Sequence, residues 1–146
     1  VSLRDIKLVN FSETSSSVSF TISSVLNPVI GRDNLIQRIV KKILTAKGSN
    51  VYDSTIGSSF ANLFQVTSTT RIKEIENIFP IYLETMVEQL RDEQESEILE
   101  GITIPDGEYL ENIIMESVAY DDTFGGWLVS LRVFTLNNSS FSLSIP

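Results

Sequence analysis

The apolar residues of this 146-residue chain change period at Gly101. Between Asp33 and Gly101 they recur at spacings of three and four, as on amphipathic helices. Past Gly101 they alternate, as on half-buried strands. Sequential strands with short loops pair as an antiparallel meander. The chain is therefore expected to be a single α+β domain spanning residues 1–146, with helices packed on a mostly antiparallel sheet and a C-terminal β-meander.

The clearest helix begins after Gly31. Asp33 is its expected cap, since a carboxylate there can accept from an unpaired backbone N–H. Leu35, Ile36, Ile39, Val40, Ile43 and Leu44 share one face, and Gln37, Arg38, Lys41, Lys42 and Thr45 share the other. Gly48 is the expected left-handed stop. The basic cluster Arg38, Lys41, Lys42 and Lys47 reads as a solvated helix face, or alternatively as a docking patch for an acidic neighbour. In the loop after it, Tyr52 and Ile56 are the expected anchors. Ser58 to Phe64 reads as a short helix with Phe60, Leu63 and Phe64 inward.

A longer helical pattern runs from Arg71 to about Glu97, with Ile72, Ile75, Phe79, Tyr82, Met86 and Leu90 at helical spacing. Pro80 lies inside it. An interior proline removes a backbone bond, so a kink or a break near Ile78 to Pro80 is expected. The end is acidic, with Glu88, Asp92, Glu93, Glu95, Glu97 and Glu100, and reads as a solvated end or a surface for a basic partner.

Strand patterns lie on both sides of the helices. Val18, Phe20 and Ile22 alternate with Ser and Thr, Ile6 and Leu8 mark a shorter strand before them, and Ser12 to Ser17 is a turn or an exposed loop between. Beyond the turn Pro105-Asp106-Gly107, Ile113 to Tyr120 is one strand. Asp121 to Gly126 is a loop, where Asp121-Asp122 reads as turn chemistry ahead of a calcium site. Trp127 to Leu136 is the next strand, with Trp127, Val129, Leu131 and Val133 on one face. Asn137-Asn138 turns the chain, and Phe141, Leu143 and Ile145 then alternate with Ser140, Ser142 and Ser144.

Composition narrows the function. There is no Cys and no His. Disulfides and thiolate chemistry are excluded, the commonest metal ligand is missing, and a Ser-His-Asp triad is impossible. The seven glycines are scattered and make no phosphate loop. No cofactor or metal is expected, and the chain is not expected to be an enzyme. A formal charge of -8 argues against a nucleic-acid partner. No apolar run approaches the ~20 residues of a membrane span. Val1-Ser2-Leu3-Arg4-Asp5 lacks the pattern of a signal peptide, so a soluble protein made in a cytoplasm is expected.

One stretch, Asn34 to Phe64, carries a resemblance. Asn34-Leu35-Ile36-Gln37-Arg38-Ile39, Ile43-Leu44-Thr45, Lys47-Gly48-Ser49, Tyr52-Asp53 and Gly57-Ser58 follow in an order and spacing similar to the front of the contractile-tail phage baseplate wedge family that initiates the sheath. Tyr120-Asp121-Asp122 and the closing strands resemble that family's later part. The family's Glu-Pro-Arg triplet, between its helix and first strand, is missing. Either Glu95-Ser96-Glu97-Ile98 or Gly107-Glu108-Tyr109-Leu110 takes its place, the second keeping Tyr120-Asp121-Asp122 aligned.

The resemblance implies a virion protein of the tail baseplate, assembled in the host cytoplasm. It implies tail sheath protein and other wedge and tube-cap proteins as partners. Sheath subunits would pair with sheet edges carrying Trp127, Val129, Leu131, Val133, Ser140, Phe141, Ser142, Leu143, Ser144 and Ile145. The helical side, with Arg71, Glu74, Arg91 and Glu95, would face the wedge. Because the family has carried a lysozyme label, a peptidoglycan-hydrolysing baseplate enzyme stays open as an alternative, as does another tail or injection-machine adaptor of the same fold.

Overall fold

The computed structural model describes Asp5–Ile6, Val9–Ser12, Ser17–Phe20, Pro28–Val29 and residues 31–45, 49, 51–52, 60, 72–123 and 126–145. In chain order the elements are β1 (Asp5–Ile6), β2 (Val9–Ser12), β3 (Ser17–Phe20), β4 (Pro28–Val29), α1 (Arg32–Leu44), α2 (Ile72–Leu99), β5 (Leu110–Asp121), β6 (Gly126–Thr135) and β7 (Ser140–Ile145). The fold is α+β, and β5, β6 and β7 form the expected antiparallel meander. The expectations for Ile22, Ile56, Leu63, Phe64 and Gly48 lie outside the described residues, as do those for Leu8 and Lys47.

Five strands make one sheet in the order β2-β3-β7-β6-β5, and β1 pairs separately with β4. All neighbours are antiparallel except β3 and β7, which run parallel and meet at Ser17 and Ser144. The core lies between the two helices and the inner face of the meander. Trp127, Val129, Leu131 and Val133 are buried there, on one face of β6 as their alternation predicts, with Leu143 of β7 and Ile113 of β5. Phe60, expected inward, is fully buried, its ring centroid 4.6 Å from that of Phe79 and 6.1 Å from that of Tyr82.

In α1, Leu35, Ile36, Ile39, Val40 and Ile43 are buried as expected. Leu44, assigned to the same face, is 48% exposed, because it is the last helical residue and sits a step round the helix from Ile43. The cap is Gly31, at φ 66, and not Asp33, which lies in the first turn where the helix dipole favours its carboxylate. Tyr52, expected as an anchor, is 99% exposed.

The second helix runs as one element of 28 residues, so of the kink or break expected near Ile78 to Pro80 the break does not occur. Pro80 and Glu76 are both on the exposed face, and the carbonyl that loses its partner can bond to water. The stop is well made. The N–H of Gly101 donates to Ile98 (3.0 Å) and that of Ile102 to Glu97 (2.9 Å), with Gly101 at φ 87. This is the Schellman arrangement, and it needs the left-handed region that glycine enters without strain. The turn Pro105-Asp106-Gly107 closes with Glu108 N–H on the carbonyl of Pro105 (2.8 Å). At the β6–β7 turn Asn138 takes φ 59, and Asn137 Oδ1 accepts from the Thr135 hydroxyl (2.7 Å) and the Ser139 N–H (3.1 Å).

Each fully buried Leu or Ile of α1 contributes roughly 1.5–3 kcal/mol. Ile39→Asp places a carboxylate at a fully buried position among them. It should abolish the cooperative melt followed by circular dichroism. A native-like melt for that variant would contradict this assignment of the core.

Candidate functional site

The sheet order relocates the accessible edge. β6 is hydrogen-bonded to β5 on one side and β7 on the other. Trp127, Val129, Leu131 and Val133 are therefore core residues of an interior strand, and the expectation that they form a pairing edge is corrected: an interior strand has no spare backbone groups to offer. β7, with Ser140, Phe141, Ser142, Leu143, Ser144 and Ile145, pairs with β6 along its length. On its far side β3 pairs with it at Ser144. Leu143 is buried and Phe141 packs against the core, and apart from the bridge at Ser144 the far side of β7 has no strand partner among the described residues.

The terminal strand of the sheet at the other end is β5. Its outer side has no strand partner among the described residues. α2 lies along it. At about 3.3 Å per residue a strand of 12 residues reaches about 40 Å, and a helix of 28 residues at 1.5 Å per residue reaches about the same. Between them runs an open groove of about 880 Å³.

One wall of the groove is a stripe of α2 at helical spacing: Pro80, Leu83, Glu84, Val87, Glu88 and Arg91. The other is the unbroken run Glu111–Met115 of β5. Successive strand residues point to opposite faces, so a groove lined by five in a row follows the edge of the backbone and not one face of the sheet. Phe134 of β6 adds an apolar ring where it pairs with Asn112. The ladder between β5 and β6 shifts register at Glu111 and again at Glu116. Glu116 is held by Arg132 (2.6 Å). The N–H of Ile113 donates to Asn112 Oδ1 (2.8 Å), so this edge group is occupied by a neighbouring side chain.

Two sets of polar contacts fix the walls. Gln94 of α2 is fully buried; its Nε2 donates to the carbonyl of Glu108 (2.9 Å) and its Oε1 accepts from the N–H of Leu110 (2.9 Å). The carboxylate of Glu108, itself buried, accepts from the Gly31 N–H (2.9 Å) and from the Asn34 amide, so a residue 77 positions away supplies the cap that α1 lacks locally. The second set joins the helices. Arg38 donates both guanidinium arms to Glu97 (2.8 and 3.0 Å), and Lys42 donates to Glu93 (2.6 Å).

These contacts correct one expectation and sharpen another. The polar face of α1 is not solvated: Gln37 is fully buried, and Arg38 and Lys42 keep only 12% and 19% of their side chains exposed. The acidic end of α2 is exposed as expected at Glu88, Asp92, Glu93, Glu95 and Glu100 and half-buried at Glu97, and several of its carboxylates have partners. Glu93 and Glu97 face α1, Glu95 accepts from the Tyr109 hydroxyl (3.2 Å), and Glu88 lines the groove. Of the residues assigned to the wedge-facing side, Glu74 and Glu95 are exposed on α2, Arg91 is in the groove wall, and Arg71 lies outside the described residues.

Asp121 closes a turn by accepting from the Thr123 N–H (2.8 Å). Among the described residues no three acidic side chains converge on a possible metal position, and no helix is long and apolar enough to cross a membrane. Compared with protein-family models, with curated proteins and with solved structures, the chain shows no significant match.

Gln94→Ala leaves a buried carbonyl and a buried N–H without partners. At about 1–3 kcal/mol for each unsatisfied group, urea unfolding should show a loss of about 2–6 kcal/mol. A change within experimental error would mean that the carboxamide does not hold α2 to β5. For Arg38 and Glu97, a double-mutant cycle to alanine should give a coupling of about 1–2 kcal/mol, above that of an exposed pair and reduced by salt. Strictly additive single variants would contradict the clamp.

Proposed function

We propose that the chain is a structural, non-catalytic component of a contractile phage tail baseplate, joining the wedge and starting the sheath by strand pairing with sheath subunits. The observation that carries this reading is the outer edge of β5, unpaired among the described residues and open along a groove beside α2. A protein that seeds a polymer by strand addition needs such an edge, held rigidly enough to template an incoming backbone.

The residues that resemble the wedge family fit a scaffolding role. Leu35, Ile36, Ile39 and Ile43 build the core, as does Phe60, so this stretch shapes the domain and leaves the docking to the sheet edge. Glu108 also supports the second of the two alignments. It stands between α2 and β5, where the family carries its triplet, whereas Glu95 and Glu97 lie within α2. The arginine of that triplet has no counterpart, since Leu110 occupies the place. The pairing strand moves from β6 and β7, as read from sequence, to β5.

Reconstitution tests the reading. Wedge complexes assembled with this protein should polymerise sheath subunits, and complexes assembled without it should stay bare when viewed by negative-stain microscopy. Sheaths of equal number and length in its absence would sink the proposal.

A further inference from the structure

Resting on the assembly reading for the partner's identity, and on the chemistry of the groove for what is recognised, we infer that the α2–β5 groove takes an extended polypeptide segment bearing Lys or Arg between apolar residues, added as a further strand along β5. The groove follows a backbone edge, and such an edge is completed by another backbone. Ile114, Met115 and Phe134 offer apolar contact to alternate side chains, over a floor that includes the buried Leu83 and Val87.

Charge selects the occupant. Three carboxylates, Glu84, Glu88 and Glu111, line the groove against one guanidinium, Arg91. None of the four is in an ion pair among the described residues. Glu84 and Glu88 stand one turn apart on α2, so their fields add over the same stretch of the edge. An acidic segment would meet like charge, while a basic one would neutralise groups that no described residue neutralises. A second copy of this chain is a poor occupant: it carries a net charge of -8, and its Arg38 and Lys42 are already engaged by Glu97 and Glu93.

The register shifts limit the docking length. Between the irregularities at Glu111 and Glu116 the regular edge is Asn112–Met115, so the added strand pairs over a short span and its side chains carry the selectivity. The incoming carbonyl takes the Ile113 N–H from Asn112 Oδ1.

The probe is a fluorescent octapeptide of alternating Lys and Val, titrated against the full chain by anisotropy. The structure leads us to expect binding. Glu84→Lys with Glu88→Lys should weaken it at least about tenfold, whereas Glu76→Lys with Asp92→Lys, exposed positions outside the groove giving the same change in net charge, should have less than about a threefold effect. Methylating alternate backbone nitrogens of the peptide should abolish binding, and a Glu-Val peptide should not bind. Absence of binding, equal weakening by the two double variants, or undiminished binding of the methylated or acidic peptide would overturn the inference. Selective peptide binding by a protein that fails to seed sheaths would support the groove chemistry while removing the assembly role. Normal seeding without groove selectivity would remove this inference alone.

Discussion

The arrangement of the domain depends on one buried carboxamide. Gln94 bonds to backbone groups on both sides of Tyr109, which fastens the last third of α2 to the start of β5. A helix and a strand joined by a loop could cross at many angles, and two hydrogen bonds to fixed backbone atoms select one. Glu108, placed by the same contact, then reaches the N-terminus of α1 and the Asn34 amide. The consecutive α2 and β5 thus meet the distant start of α1 at a point where the bonds are buried, the one to Gly31 partly so. Polar contacts are costly to break in such a place, since each partner left behind is buried and unpaired.

The groove follows from that geometry. With α2 held along β5, the edge of the sheet is walled on one side and open on the other, and the charges on the helix are sorted by where they face. Glu93 and Glu97 meet the basic residues of α1, while Glu84 and Glu88 are in no ion pair among the described residues. An edge strand that is bulged, charged and partly covered by Asn112 is protected against indiscriminate pairing, yet stays open to a segment that matches it. Such selectivity suits a protein whose proposed task is to start one polymer and no other.

Much of the fold was legible from periodicity. The buried faces of α1 and α2, the alternation of β6, the stop at Gly101 and the turns at Pro105 and Asn138 follow from local rules, because each depends on residues within a few positions. The misreadings share a cause. Gln37, Arg38 and Lys42 look like a solvated face, and Asp33 looks like a cap, because sequence gives no hint that Glu93, Glu97 and Glu108 fold back onto them. Pro80 leaves a kink or a break open because its exposure, which lets water take the freed carbonyl of an unbroken helix, is a tertiary fact.

The candidate site was the least legible part. Alternation marks a strand and its buried face, but an edge strand and an interior strand that bury one face alternate alike, so Trp127 to Val133 could pass for an edge and the strand from Leu110 to Asp121 for an ordinary one. By itself the sequence determined the class of the fold, the core residues and the absence of thiol and imidazole chemistry, since these depend on residue type and period. Only the tertiary structure decided which strand ends the sheet, which acids find bases, and where the groove lies. Those outcomes depend on the order in which strands pair across the sheet, and strand order is set by packing between segments far apart in the chain.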